Sequence, residues 1–362
     1  MSVEQIHRIF SNYISNYSKN KPFISRSIHS TNFHDLSSAD GVIRQFRDLP
    51  HFRKMRVYKF QVDYINIDLE IAGFLENHSN SAPKIEDIII FYVQFLVHFC
   101  TRFSNKDITD LHIRIFLFNG SKRFPSQSTT ELTSMNVNSG YTQYYEHSPK
   151  RTIVVYRSEE VLKVLTHEMI HAFGLDDKMI NDPNSFFART FNISNNKAAG
   201  CLSLNINESF TDAFACYFNA VIYSHLSRES FQKVMKKERD HIIKQGVKVL
   251  YYLRQQQTNH HTPICERANV TAYYILKAII YMKLEPFIEM LEINKCNIQV
   301  DRYLDILREN LQDFLKYYTF QTTHNNQRIT RISMDRLVNR SLKMSSLDIL
   351  TIPLSNYVAY FA

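Results

Sequence analysis

The stretch TIVVYRSEEVLKVLTHEMIHAFG, residues 152–174, decides the fold class of this chain. Residues 152–156 are β-branched or aromatic, which is typical of a strand. From Val161 onward the apolar residues recur at helical spacing, so the hydrophobic period changes from two to about 3.6. Ser158 is the predicted N-cap of the helix, and Gly174 is predicted to end it. The stretch therefore predicts a strand followed directly by an amphipathic helix.

The helix carries the motif HEMIH at residues 167–171. His167 and His171 are four residues apart and lie on one face, whereas Glu168 is displaced by about 100°. Zinc that activates water needs neutral imidazoles and a nearby carboxylate that accepts the proton of the water. The pattern predicts His167 and His171 as ligands of one Zn²⁺ ion and Glu168 as general base. The alternative is an ordinary amphipathic helix with two exposed histidines.

A carboxylate for the third ligand position follows in the segment NESFTD, residues 207–212. Glu208 and Asp212 are again four residues apart on a predicted helix, whose later residues are apolar enough to be buried. Buried carboxylates require a cation or strong donors. We expect Glu208 on the metal and Asp212 accepting the outer N–H of a ligand histidine. The alternative is a pair of exposed acids stabilised by the helix dipole.

The combination of HEMIH and, 37 residues after His171, the glutamate of NESFTD resembles the zincin metallopeptidases, and more narrowly the gluzincins. The resemblance covers about residues 110–225. It implies that His167, His171 and Glu208 are the metal ligands. It also implies that Glu168 is the general base and that Asp212 lies behind a ligand histidine. The string HEMIHA is also similar to SprT-like proteases, which act on proteins crosslinked to DNA and use a third histidine.

Short-spacing zincins suggest another third ligand. Gly174 would turn the chain so that Asp177 lies where those proteins place a ligand, which is usually histidine. Aspartate is chemically competent there, but no convincing methionine-bearing turn follows. We favour Glu208, and we expect Asp176 and Asp177 to cap or form salt bridges in the loop.

The predicted fold class is α+β, with a zincin-like small mixed sheet, a backing helix and the HExxH helix, followed by a mainly helical carboxy-terminal subdomain. Strands are predicted at 111–118, 141–146 and 152–156, and helices at 85–103, 208–223, 230–256, 267–292 and 300–318. The predicted division is an amino-terminal ancillary region at 1–84, a catalytic core at 85–225 and the helical subdomain at 226–362.

The predicted activity is hydrolysis of peptide bonds, with Glu168 taking the proton of water and returning it to the departing amine. His225 is the first candidate for stabilising the oxyanion because it continues the Glu208 helix, although exposure on the surface is its alternative. The substrate is expected to be a peptide or protein that adds itself to an exposed edge at 141–146 or 152–156.

Cysteine usage and the apolar segments indicate a cytoplasmic protein. The five cysteines form no C-x-x-C pair and are odd in number, so reduced, buried thiols are expected. The amino terminus has no apolar signal region. The apolar stretch at 88–100 is 13 residues long and contains Gln94 and His98, so no membrane partner is expected.

The charge balance leaves two rival functions open. A net charge of +8 is spread along the chain, so nucleic acid is a weakly supported partner. One rival is therefore a DNA-associated, SprT-like protease. The other is a catalytically inactive zincin-fold protein with a binding or structural role, against which Glu168 argues because a structural zinc site has no use for a base.

Overall fold

A computed structural model describes twelve parts of the chain. They are residues 2–19, 23–30, 54–73, 85–117, 122–124, 131–145, 148–177, 186–194, 196–260, 263–293, 299–323 and 347.

The described residues contain eight strands in two sheets. In chain order they are β1 Ser25–Ser30, β2 Lys54–Val62, β3 Ile65–Ala72, β4 Asp110–Phe116, β5 Glu131–Leu132, β6 Gly140–Tyr144, β7 Lys150–Tyr156 and β8 Cys265–Glu266. Six of them make the main sheet in the order β1-β2-β3-β4-β7-β6, and β5 pairs with β8. The three central strands β3, β4 and β7 are parallel, and their register places Leu69 beside Ile113 and Ile113 beside Ile153. β6 runs antiparallel to β7 and ends the sheet that the described residues form.

The helical segments in chain order are α1 Val3–Lys19, α2 Ile85–Thr101, α3 Ser134–Val137, α4 Val161–Ala172, α5 Phe186–Phe191, α6 Ile206–Ser227, α7 Phe231–His260, a π-helical turn Thr271–Leu276, α8 Lys277–Met282, α9 Glu285–Ile293 and α10 Val300–Thr323. A short 3₁₀ turn, Lys197–Ala199, precedes α6. The protein is therefore α+β with a mixed sheet, as the sequence predicted.

The core lies between the sheet and these helices. Strand β3 alternates between buried Ile67 and Leu69 and partly exposed Asp68 and Glu70, so one face of the sheet is apolar. Helix α2 is buried on nearly all sides, which its almost unbroken apolar sequence permits. Helix α4 packs on β6 and β7, and α6 packs on α4 from the other side. This stacking holds α4 and α6 next to each other.

The amino-terminal strands belong to the main sheet. β1, β2 and β3 lie within residues 1–84, and β3 pairs with β4 across the boundary that the sequence analysis placed at residue 84. Ile6 and Phe10 of α1 are also fully buried. Residues 1–84 thus supply half of the strands of the sheet, and the three-part division of the chain stays a prediction.

The start of α4 differs from the prediction. The helix begins at Val161, and Glu160 precedes it with a left-handed φ of 62°. The N-cap is therefore Glu160 and not Ser158, because the main-chain carbonyl of Glu160 accepts the first helical hydrogen bond, 2.9 Å from the N–H of Val164. The buried carboxylate of Glu160 makes no cap hydrogen bond and instead accepts one of 2.8 Å from the buried ammonium of Lys122. The end of the helix is as predicted, since Gly174 adopts a φ of 61° and its N–H bonds to the carbonyl of His171.

The expectation that all cysteines are reduced is wrong. Cys201 and Cys265 form a disulfide between segments 64 residues apart. Odd cysteine number and missing motifs could not reveal this pair, because the fold brings the two segments together through β8. Cys100 and Cys216 are buried thiols outside the disulfide, as expected, and Cys296 lies outside the described residues.

The predicted helix at 267–292 is divided into three parts. A π-helical turn opens it, and Lys283 then adopts an extended conformation before α9 begins. Pro286 lies at the start of α9, where its missing N–H is tolerated. Among the described residues, no helix has both the length and the apolar character that crossing a bilayer requires.

Candidate metal centre and cleft

Three side chains from α4 and α6 converge on one point. Nε2 of His167 and Nε2 of His171 lie 3.0 Å apart, and Oε2 of Glu208 lies 3.2 Å from the first and 3.3 Å from the second. Tetrahedral ligands about 2.0–2.1 Å from a zinc ion are separated by about 3.3 Å. The donor types and their spacing therefore fit one zinc ion, and all three side chains line the cleft.

The outer nitrogen of each histidine faces a carboxylate. Nδ1 of His167 lies 3.2 Å from Asp212, and Nδ1 of His171 lies 2.6 Å from Asp176. A proton on each Nδ1 leaves the lone pair of Nε2 directed at the shared point, which is the tautomer that a metal ligand needs. Asp212 is where the sequence analysis expected it, behind a candidate ligand histidine.

Asp176 is a site residue that the sequence analysis missed. It was expected only to cap or form a salt bridge in the loop. Gly174 turns the chain after α4 and returns Asp176 to His171, and Thr211 donates a 2.7 Å hydrogen bond to the same carboxylate. The sequence showed that Asp176 lies five residues after His171. The turn between them prevents a prediction of where the carboxylate points, because helical spacing no longer applies beyond Gly174.

The alternative third ligand lies apart from the donor cluster. Asp177 forms an ion pair with Lys106 at the rim of the cleft, and it is not among the side chains whose ligand atoms converge. The geometry thus brings Glu208, and not Asp177, to the two histidines.

Charges are arranged around the cluster as a cation site requires. Burial lowers the pKa of His167 to about 4 and so favours the neutral ring. Burial also opposes a charge on His171, but Asp176 and Glu208 outweigh it and raise the pKa of His171 well above its ordinary value. The pKa of Glu208 is lowered despite its burial, because His171 lies beside it. In the metal-free protein the proton on His171 thus supplies the positive charge that these carboxylates need.

Glu168 lies beside the cluster and not in it. Oε2 of Glu168 accepts a 2.8 Å hydrogen bond from the hydroxyl of Thr142 on β6. Gly140 permits this approach, because a Cβ there would lie 3.0 Å from Oε1 of Glu168 and 2.9 Å from Val164. Burial raises the pKa of Glu168 to about 7, and Glu208 acts in the same direction. A carboxylate with such a pKa is suited to accept and return a proton near neutral pH.

Tyr273 is a further aromatic residue at the candidate centre. It lies on the π-helical turn, its ring centroid is 5.8 Å from that of His167, and it lines the cleft. Burial raises the pKa of Tyr273 well above its ordinary value, and Glu208 and Glu168 add to the shift, so the phenol keeps its proton. Tyr273 was missed because a tyrosine within a run of apolar residues predicts core packing.

His225, the predicted oxyanion residue, lies elsewhere. Its ring contacts His7 and Phe10 of α1, with centroids 5.4 and 5.1 Å away. It is 17 residues beyond Glu208 on the same helix, which is a distance of about 25 Å. His225 is therefore part of the packing between α1 and α6.

An open cleft of about 560 Å³ runs over the cluster. It extends along β6, past the candidate ligands, to Tyr273. Its polar lining includes Lys106, Asn138, Thr142, Tyr144, Arg151, Asp177, Asn205, Asn207 and Asn269. An extended chain laid along β6 would pass directly over Glu168 and the three candidate ligands.

A second group with ligand-type atoms lies on the outer face of the sheet. It consists of Asp68, Glu70 and His112. Arg114 donates a 2.6 Å hydrogen bond to Glu70, and Lys59 lies 3.3 Å from Asp68. These cations already neutralise the two carboxylates, so the group carries no metal assignment.

The known proteins that are similar to this chain share little of its sequence. No protein-family model matches the chain. An uncharacterized protein of Acanthamoeba polyphaga mimivirus is 29% identical over 209 residues, which are 51% of this chain and 50% of the relative. The chain thus matches about half the length of that relative. This chain is also similar to the crystal structure of an aminopeptidase N family protein from Idiomarina loihiensis. The superposition covers 92% of this chain and 55% of the other protein, with 12% sequence identity and a TM-score of 0.34.

Proposed function

We propose that the chain is a zinc-dependent peptidase that hydrolyses peptide bonds. Its zinc ion would be held by His167, His171 and Glu208, with Glu168 as general base. The observation that carries the proposal is the convergence of three donor atoms, 3.0–3.3 Å from one another, beside a buried carboxylate in an open cleft. A purely structural zinc site needs neither the carboxylate nor the cleft.

Zinc bound by these residues would polarise the scissile carbonyl and lower the pKa of a water molecule. Glu168 then takes the proton of the water on its carboxylate and delivers it to the departing amine. Its hydrogen bond with Thr142 fixes the orientation of the carboxylate. The raised pKa of Glu168 favours both the uptake and the return of that proton.

Tyr273 is suited to stabilise the developing negative charge on the carbonyl oxygen. Its hydroxyl group stays protonated because burial raises its pKa, so it is a donor. It lines the cleft, and its ring lies next to that of His167. A donor that is already positioned costs no reorganisation during the reaction. Tyr273 thereby takes the role that the sequence analysis gave to His225.

Strand β6 is suited to bind the substrate. It ends the described sheet, and Gly140, Tyr141, Thr142 and Tyr144 line the cleft. A peptide that pairs with this edge gains main-chain hydrogen bonds without a demand on its sequence. Of the two predicted edges, β7 lies between β4 and β6 and has no free edge, so the proposal uses β6 alone.

The test compares the wild-type protein with Glu168→Gln in zinc content and in cleavage of a mixed peptide library. We expect equal zinc content, about one ion per chain, and cleavage only by the wild type. Exposed Glu289 on α9 supplies a matched control, and Glu289→Gln should retain both properties. Equal cleavage by wild type and Glu168→Gln would disprove the assigned mechanism.

The same measurements separate the proposal from the two rivals. A catalytically inactive zincin-fold protein would bind zinc and leave the library uncut. A DNA-associated protease would cleave, and DNA would retain it at low salt and release it steeply as ionic strength rises. Absence of zinc binding would contradict all three.

A further inference from the structure

A guanidinium group lies at one end of the cleft. Arg151 is on β7 directly across from Tyr144 on β6, so both side chains lie on the same face of the sheet. Cζ of Arg151 is 5.5 Å from the ring centroid of Tyr144, and both residues line the cleft. The contact holds the cation in place beside the proposed path of the substrate.

The position of Arg151 along the cleft follows from the register. Thr142 marks the level of Glu168, because its hydroxyl bonds to that carboxylate. Tyr144 is two residues farther along β6, which is about 7 Å in a strand. Arg151, its cross-strand partner, is thus within reach of a substrate residue about two positions from the scissile bond.

Arg151 has no carboxylate partner among the described residues. Its Nη1 donates 2.7 Å hydrogen bonds to the main-chain carbonyls of Ser148 and Lys150. Its Nε is buried without a hydrogen-bond acceptor. A buried donor without an acceptor is unfavourable, and a guanidinium is well suited to bind a carboxylate through two parallel hydrogen bonds.

Neighbouring carboxylates at this end of the cleft are engaged by other cations. Asp177 pairs with Lys106, and Asp176 lies 2.6 Å from His171. The described carboxylates at this end of the cleft are thus engaged elsewhere, which leaves Arg151 suited to bind the anion of a bound molecule.

We propose that Arg151, packed against Tyr144, is a specificity residue that binds a carboxylate of the peptide substrate. The proposal rests on the proposed peptidase function and names the class of substrate as acidic peptides. The carboxylate is either an Asp or Glu side chain or the carboxy terminus of a short peptide, since both present the same two oxygens to the guanidinium.

The experiment uses fluorogenic peptides that differ in one group. In the first series, acetylated and amidated peptides carry Glu or Gln at each of three positions on either side of the scissile bond. In the second series, a free carboxy terminus is compared with its amide. We expect kcat/KM to be about tenfold higher for the acid at one position, in one of the two series, and the ratio to fall with added salt. Equal kcat/KM for acid and amide throughout would overturn the proposal.

Two variants test the residue itself. Arg151→Gln should reduce the acid-to-amide ratio to about one, whereas Lys150→Gln, which changes the adjacent exposed lysine, should keep it near tenfold. Arg151→Lys keeps the charge but loses the planar fork and should give an intermediate ratio. A ratio is insensitive to the fraction of folded protein, so partial misfolding of a variant does not imitate the expected result. A loss of the ratio in both Arg151→Gln and Lys150→Gln would refute the assignment to Arg151.

Binding measurements separate this proposal from the peptidase proposal. Fluorescence anisotropy of the same peptides with zinc-loaded Glu168→Gln protein needs no turnover. Preferential binding of the acidic peptides, lost in the Glu168→Gln, Arg151→Gln double variant, supports the subsite even if the wild type cleaves nothing. Equal binding of acid and amide, or binding of neither, contradicts it.

Discussion

Oδ2 of Asp176 lies 2.6 Å from Nδ1 of His171, on the side of the ring opposite Glu208, which lies 3.3 Å from Nε2. The imidazole is thereby held between two carboxylates. Its orientation is set by a residue only five positions farther along the chain, beyond the turn at Gly174. If His171 is a zinc ligand, Asp176 determines both the tautomer and the orientation of its imidazole ring.

Asp176→Asn should therefore weaken zinc binding by about 10- to 100-fold, because the amide fixes the imidazole less well and adds no negative charge. Competition with a colorimetric chelator measures this affinity. Asp177→Asn is the matched control, since that carboxylate pairs with Lys106 and should change zinc affinity little. A larger loss at Asp177 than at Asp176 would favour Asp177 as a ligand.

Asp212 should matter more for stability. It is fully buried and pairs with two buried ammonium groups, those of Lys163 and Lys277, besides facing His167. Asp212→Asn removes the carboxylate that these two buried ammonium groups share, and we expect a loss of about 3–5 kcal/mol in the free energy of unfolding. Urea denaturation measures it. Asp305→Asn removes an exposed aspartate from a surface pair and should change this free energy by about 1 kcal/mol or less.

Much of the candidate centre was predictable because it depends on helical spacing. The pairs His167 and His171, and Glu208 and Asp212, are each four residues apart on a helix, so the sequence alone predicts that each pair shares a face. The sequence also predicted that the two helices lie side by side. A buried carboxylate on the second helix needs a cation, and the histidines of the first helix can hold one.

Features that depend on distant chain segments could not be predicted. Tertiary packing sets the pairing of β3 with β4, the approach of Cys201 to Cys265 and the place of Tyr273 beside His167. His225 was predicted to stabilise the oxyanion because it lies on the same helix as Glu208. The helix is long, however, so its last turn is far from its first. The ion pair of the N-cap residue Glu160 with distant Lys122 is likewise a tertiary contact.

Tyr273→Phe should lower kcat by about 10²–10³-fold, because the hydroxyl donor to the oxyanion is lost. The hydroxyl also has hydrogen bonds with Glu208 and Asn269, but His167, His171 and Glu208 all remain, so the variant should still bind about one zinc ion per chain. Tyr274 is a closely matched control. It is adjacent in sequence and buried, and its hydroxyl finds no hydrogen-bond partner in the described part of the chain, so Tyr274→Phe should retain activity. Steady-state kinetics and metal analysis of the two variants check the prediction. Equal loss in both would indicate a packing effect.

Glu266 should make stability depend on pH. It is buried and accepts hydrogen bonds from the N–H and hydroxyl of Thr271, and burial raises its pKa from 4.5 to about 7. Because the folded state holds this proton more tightly, its stabilising effect is complete below pH 4.5 and is lost as pH rises through about 7. The loss amounts to about 3 kcal/mol.

Glu266→Gln keeps an acceptor for Thr271 and does not titrate. The free energy of unfolding of the wild type, minus that of Glu266→Gln, should therefore fall by about 3 kcal/mol between pH 4.5 and pH 8. Urea denaturation of both proteins across this range measures the difference. A difference that stays constant or rises with pH would contradict the raised pKa.

Reduction of the disulfide should destabilise the chain. Cys201 and Cys265 are 64 residues apart, and a crosslink across such a loop lowers the entropy of the unfolded chain by an amount worth about 4 kcal/mol. The segments it joins lead into α6, which carries Glu208, and into the turn that carries Tyr273. We expect a phosphine reductant to lower the free energy of unfolding of the wild type by about 2–5 kcal/mol and to leave that of the Cys201→Ala, Cys265→Ala double variant unchanged. Chemical denaturation with and without reductant measures both. If the reductant lowered the free energy of unfolding of both proteins equally, its effect would not come from this disulfide. If it left that of the wild type unchanged, the disulfide would not contribute to stability.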